Sequence, residues 1–170
     1  MGVQRMNKLD RIVFVAKTGT SREPMAMGIL KDMGLDYPVE ILARGLVVQF
    51  PEPLNRKAEA VLIGNGITLE GFSSQQLVRE DITENTLVLA LETIHRDKIL
   101  ELFPDVDENQ VWVLAKFVGE ELEVLDPYGG NLSNYGLCYE SLRTSIKKLV
   151  SILNNQEEDE SDDSQETGLY

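Results

Sequence analysis

The sequence predicts an α/β fold, a small three-layer domain built on a four-stranded parallel sheet. Three observations carry that expectation. Four short apolar runs, residues 12–16, 39–43, 86–91 and 111–115, read as strands buried on both faces. Helical patterns separate them and one more follows the last, an alternation that implies parallel strands with right-handed crossovers and helices on both faces. The chain has 170 residues, 42% of them apolar, enough for one domain with a sizeable core.

Each element has its own signal. Residues 1–10 are a polar lead-in without the apolar stretch of a signal peptide. The first strand, 12–16, is followed by a polar loop, 17–23. Pro24 suits the first position of a helix, where its missing N–H costs nothing. Ala26, Ile29, Leu30 and Met33 fall on one helix face, and Gly34 is a stop signal. Tyr37-Pro38 breaks the chain before the second strand, which Leu46, Val47 and Val48 extend. Leu54, Ala58, Val61 and Leu62 predict a second helix, ended by Gly64-Asn65-Gly66. Residues 67–76 are polar and loop-like, with a short turn near Asp81 and Thr83. The third strand leads to a helix over 94–103 that Pro104 closes. A charged loop, 119–127, separates the fourth strand from a long helix on which Leu142, Ile146, Leu149, Val150 and Leu153 share a face. The domain is thus expected over 11–154, followed by a disordered acidic tail over 155–170.

Charge and cysteine narrow the classes of function. The net charge is −13, and seven acidic residues crowd into 157–166. Without those seven, 22 acidic residues face 16 basic ones, a net −6, with no basic patch of the kind nucleic acid requires. No apolar run approaches the roughly 18 residues of a membrane span. One cysteine, Cys138, excludes an internal disulfide and a cysteine metal cluster, and fits a reducing cytoplasm. Its place among helical leucines reads as a structural thiol.

The stretch from 12 to 34 organises the rest. A buried strand, a tight loop rich in glycine and hydroxyls, and a helix start aim backbone N–H groups at one spot. Arg22 stands at the junction, where a guanidinium can grip a phosphate in a bidentate fork. The residues alone leave an ordinary strand-to-helix turn with a surface arginine open. Neither a Walker loop nor a dinucleotide loop is present.

Residues 15–24, Val-Ala-Lys-Thr-Gly-Thr-Ser-Arg-Glu-Pro, resemble the phosphate-binding loop of the low-molecular-weight protein tyrosine phosphatases, in which a strand ends on Cys, five residues follow, and Arg opens the helix. The resemblance extends as an element order over about 11–154. Residues 66–72 resemble the segment before the third strand, and 84–95 an acidic residue, strand and following His. Asp126-Pro127-Tyr128 resembles the family's Asp-Pro-aromatic loop. It implies that Arg22 clamps phosphate together with Lys17, Thr18, Gly19, Thr20 and Ser21. It implies that Asp126 is the general acid and base, and that Tyr128 lines the entrance. No cofactor and no metal are implied. The partner is a phosphotyrosine protein or a small phosphate ester, with no nucleic acid and no membrane; the oligomeric state stays open.

The departures are as informative as the match. Ala16 stands at the nucleophile position, so the thiolate that attacks phosphorus is lost and the chain is expected to be inactive. Gly19 replaces the usual Asn, Glu23 the Ser after the arginine, and Phe72 a supporting His, so the loop must be braced differently. The lone histidine, His95, is expected to be solvated at a helix start, away from any loop hydroxyl. Two readings follow: a phosphatase whose native cysteine has become Ala16, or a non-catalytic phosphate- or phosphopeptide-binding regulator. A receiver-like domain, from another class, lacks its acidic cluster after the first strand. An arsenate reductase needs thiols beyond Cys138.

Overall fold

A computed structural model describes residues 8–167, with side chains through 155. Strand β1 (Arg11–Ala16) lies centrally, with β2 (Glu40–Gly45) on one side and β3 (Thr86–Ala90) on the other. Strand β4 (Val111–Val113) completes the order β2-β1-β3-β4. Every pairing is parallel, and Ala16 at the end of β1 faces Gly45 at the end of β2. The period-two alternation divides β1 between two cores. Ile12, Phe14 and Ala16 pack toward helices α1 (Arg22–Met33) and α5 (Leu132–Thr167). Val13 and Val15 pack on the opposite face with Ile99 of helix α3 (Thr93–Leu102). The expected three-layer sandwich is therefore the observed one.

Several boundaries shift for physical reasons. Helix α1 begins at Arg22, so Pro24 is its third residue rather than its first; the first turn has no intrahelical N–H bonds, and Pro costs nothing there either. Gly34 ends α1 at φ +75°, its N–H donating to the Leu30 carbonyl. Residues 46–48 do not extend β2. The Leu46 N–H donates to the Ala16 and Lys17 carbonyls of the loop after β1, the Val47 N–H to that of Lys17, and the Val48 N–H to Gln76 Oε1. Helix α2 (Arg56–Gly64) is capped by the Asn55 side chain, which accepts from the N–H groups of Lys57 and Ala58. The fourth strand stops at Val113, and Leu114–Phe117 winds into a short helix, α4. Helix α5 reaches Thr167, past the predicted end near Leu153. Its side chains from 156 on, and residues 168–170, lie outside the described residues, and with them most of the tail expected to be disordered. Among the described residues no helix is long and apolar enough to cross a membrane.

Candidate active site

The loop after β1 sits at the carboxyl end of the sheet, where open α/β folds place their ligands. Its shape is set by where its carbonyls go. Those of Ala16 and Lys17 accept from Leu46 and Val47, and that of Thr20 accepts from Asn55 N–H at 2.9 Å. A planar trans peptide directs its N–H opposite its carbonyl. With these three carbonyls engaged, the N–H groups of Lys17, Thr18 and Ser21 are directed away from Leu46, Val47 and Asn55, as an anion cradle would require. Gly19 makes the turn possible with φ +76°, and a side-chain carbon added there would lie 3.2 Å from the Gly45 amide nitrogen. Gly45 is tighter still: a side-chain carbon would come within 2.6 Å of the Thr18 carbonyl carbon.

The expected change of brace is visible. The Gly19 N–H donates to Glu23 Oε2 at 2.6 Å, and Glu23 is only 2% exposed. Burial pushes its carboxyl up to about 7, opposed by the N–H groups of Glu23 itself, Gly19 and Ser21 and by the Arg22 charge. The buried Ser74, rather than Phe72, stands beside Gly19, and its hydroxyl accepts from Glu52 N–H at 2.9 Å. Phe72 packs against the hydrophobic core.

Arg22 is 3% exposed and paired at both terminal guanidinium nitrogens. One guanidinium nitrogen donates to the Val124 carbonyl at 2.8 Å, and the other lies 2.7 Å from Glu92 Oε2 and 3.7 Å from Asp126 Oδ2. The structure thus joins Arg22 and Asp126, 104 positions apart in sequence, at one place. Asp126 also shapes its own turn, Oδ1 accepting from Tyr128 N–H at 3.0 Å, and Tyr128 is 86% exposed. Beside the loop, Thr18, Val47, Phe50 and Ser74 line a small cleft. The Thr18 and Thr20 hydroxyls bond each other at 2.9 Å.

Ala16 ends β1, 2% exposed, as the sheet register requires. His95 corrects the expectation of a solvated ring. It is 7% exposed, its Nε2 lies 3.6 Å from Glu92 Oε2, and Nδ1 is buried without a partner. Burial and the Arg22 charge push its pKa below the ordinary value, against the pull of Glu92. Cys138 is buried, and desolvation pushes its thiol up to about 12, so it is no nucleophile at neutral pH. Glu92 is the residue that sequence reading missed. Its signal was an acidic side chain directly after a buried strand, at the sheet end that already held the loop. Glu123 is a second, its carboxylate accepting from Thr93 N–H and hydroxyl and held below its usual range by those bonds.

Comparison with known proteins identifies a family. The family model described as low molecular weight phosphotyrosine protein phosphatase matches residues 11–159. A protein-arginine-phosphatase of Geobacillus stearothermophilus is 33% identical over 148 residues, covering 86% of this chain and 98% of its own. The low molecular weight protein-tyrosine-phosphatase PtpB of Staphylococcus haemolyticus is 27% identical over 139 residues, covering 82% and 96%. Among solved structures, the arginine phosphatase YwlE of G. stearothermophilus superposes with a TM-score of 0.81 at 32% identity, covering 88% of this chain and 96% of that one. A low molecular weight protein tyrosine phosphatase from T. tengcongensis gives 0.77 at 31% identity, covering 83% and 97%.

Proposed function

The chain belongs to the low molecular weight phosphotyrosine protein phosphatase family, and from that premise we propose that it is a catalytically silent member that binds phosphorylated side chains. Ala16 carries the reading: a methyl group stands where the strand end should present a nucleophile. Among the described residues nothing nearby replaces it. Cys138 holds its proton, the Thr18 and Thr20 hydroxyls face each other, and His95 turns to Glu92 rather than to a loop hydroxyl. The binding frame is intact in outline. Lys17, Thr18, Gly19, Thr20 and Ser21 form the cradle, Arg22 is its fixed positive charge, and Asp126 and Tyr128 flank it. Phosphotyrosine is the first ligand to test, and phosphoarginine the second, since relatives of both kinds match.

The Arg22–Asp126 approach of 3.7 Å favours a second reading, an active phosphatase whose nucleophilic cysteine has been replaced at position 16. One set of measurements addresses both. Hydrolysis of aryl phosphate is followed for the chain as given, for Ala16→Cys, and for Ala16→Cys/Glu23→Ser, which also returns the family's residue after the arginine. Amide shifts are mapped during titration with phenylphosphonate. No turnover by the given chain, with shifts over Lys17 to Arg22, is the expected result. Turnover by the given chain, or shifts that map elsewhere, overturns it. The native codon at position 16 decides between the two histories.

A further inference from the structure

The loop combines two features that ordinarily exclude each other. It offers inward N–H groups and a buried guanidinium, the equipment for an oxyanion, yet a buried carboxylate already takes the Gly19 N–H at 2.6 Å. Glu23 is 2% exposed and cannot swing to solvent without unpacking the first turn of α1, whose residues from Arg22 to Leu30 are all buried. Two anions held in one cradle repel strongly at short range in the low dielectric of a buried site. A dianion entering beside a fixed carboxylate therefore meets an obstacle that only a proton removes.

We propose that the Glu23 carboxylate is an internal ligand of the loop, holding the place of the missing thiolate charge, and that an oxyanion binds at the loop only when a proton is taken up at Glu23. The inference rests on the reading of Lys17 to Arg22 as an anion cradle. It specifies the regulation of that site: the cradle holds one resident negative group, and ligand and proton arrive together. The groups that face this cluster do not compete for the role. Arg22 adjoins Glu23 on α1 and stays charged. Cys138 reaches it from α5 and keeps its proton up to about pH 12. Glu92 and Asp126 pair with Arg22 from the β3–α3 junction and the 126–130 turn, and His95 lies beside Glu92.

Sulfate is the probe, because it keeps both charges throughout the range tested. Amide shifts of the loop are followed during sulfate titration at pH 6 and pH 8, for the native chain, Glu23→Gln and His95→Asn. A group titrating at about 7 is ten times more protonated at pH 6 than at pH 8, so native affinity should fall about tenfold between them. Glu23→Gln, which keeps an acceptor for Gly19 without the charge, should bind equally at both, and His95→Asn should retain the native dependence. Equal binding at both pH values by the native chain overturns the internal ligand and leaves the cradle standing. A pH dependence lost in His95→Asn also overturns it. Loop amides silent in the native chain and in Glu23→Gln at either pH overturn the cradle itself, and the inference with it. Should Glu23→Gln fail to fold, the carboxyl carbon resonance of native Glu23 decides: its titration midpoint must rise when sulfate is added, and an unmoved midpoint refutes the proposal.

Discussion

Replacing Glu23 by Gln should change how stability depends on pH, and the size follows from the fold. Burial holds the Glu23 carboxyl at about 7 in the native state, against 4.5 for an unperturbed glutamate. The native chain therefore keeps a proton that the unfolded chain releases. Below pH 4.5 both states are protonated and the group costs nothing. As pH rises from 4.5 toward 7, the unfolded state ionises first and native stability falls. Above 7 the deficit is complete. Each pKa unit of difference is worth about 1.4 kcal/mol, so the shift amounts to about 3 kcal/mol. Glu23→Gln lacks this dependence and keeps a carbonyl for the Gly19 N–H. Urea unfolding at pH 5, 6, 7 and 8 gives the stability difference between the two proteins, which removes the contributions of all other titrating groups. Gln should gain on Glu steadily across the range, by about 3 kcal/mol in total between pH 4.5 and 8. A difference that stays flat with pH would refute the buried, partly protonated carboxyl on which the reasoning depends.

Other outcomes follow from the same geometry. Ala16→Cys alone should be nearly inert toward aryl phosphates, because a thiolate would share the cradle with Glu23. Ala16→Cys/Glu23→Ser should hydrolyse them, with Asp126→Asn in that background costing about 10²–10⁴-fold on poor leaving groups. Arg22→Ala should destabilise the fold by about 1–3 kcal/mol in chemical unfolding, since it leaves the buried Val124 carbonyl without its donor. Gly45→Ala should lower stability by about 1–3 kcal/mol and move the Thr18 and Gly19 amide shifts, because its methyl overlaps the loop backbone. Deleting residues 156–170 should leave the melting temperature within a few degrees, given the scarcity of apolar side chains there.

The sheet was legible because its strands are continuous apolar runs between helical patterns, and a parallel sheet covered on both faces requires that pattern. Ala16, Arg22 and Asp126 were legible as a frame, since spacing along one loop and a later Asp-Pro survive without coordinates. What the pattern hid were the partners. The pairing of Arg22 with Glu92 and with the Val124 carbonyl depends on a strand end and a loop converging in space. His95 reads as polar at a helix start, and it is buried because Glu92 beside it belongs to the Arg22 cluster. Glu23 could be flagged as a carboxylate near an anion site. That its carboxylate is buried and accepts from the Gly19 N–H is decided by three-dimensional packing alone.

The contact between Gly19 and Gly45 has a kinetic consequence. The loop takes its curvature from the end of β2 and from carbonyls tied to Leu46, Val47 and Asn55, so its shape does not wait for an occupant. On the reading proposed above, ligand encounter involves no folding of the loop around the guest; the association rate is set by diffusion, orientation and the fraction of chains protonated at Glu23, while ligands that fit well or badly differ in how long they stay.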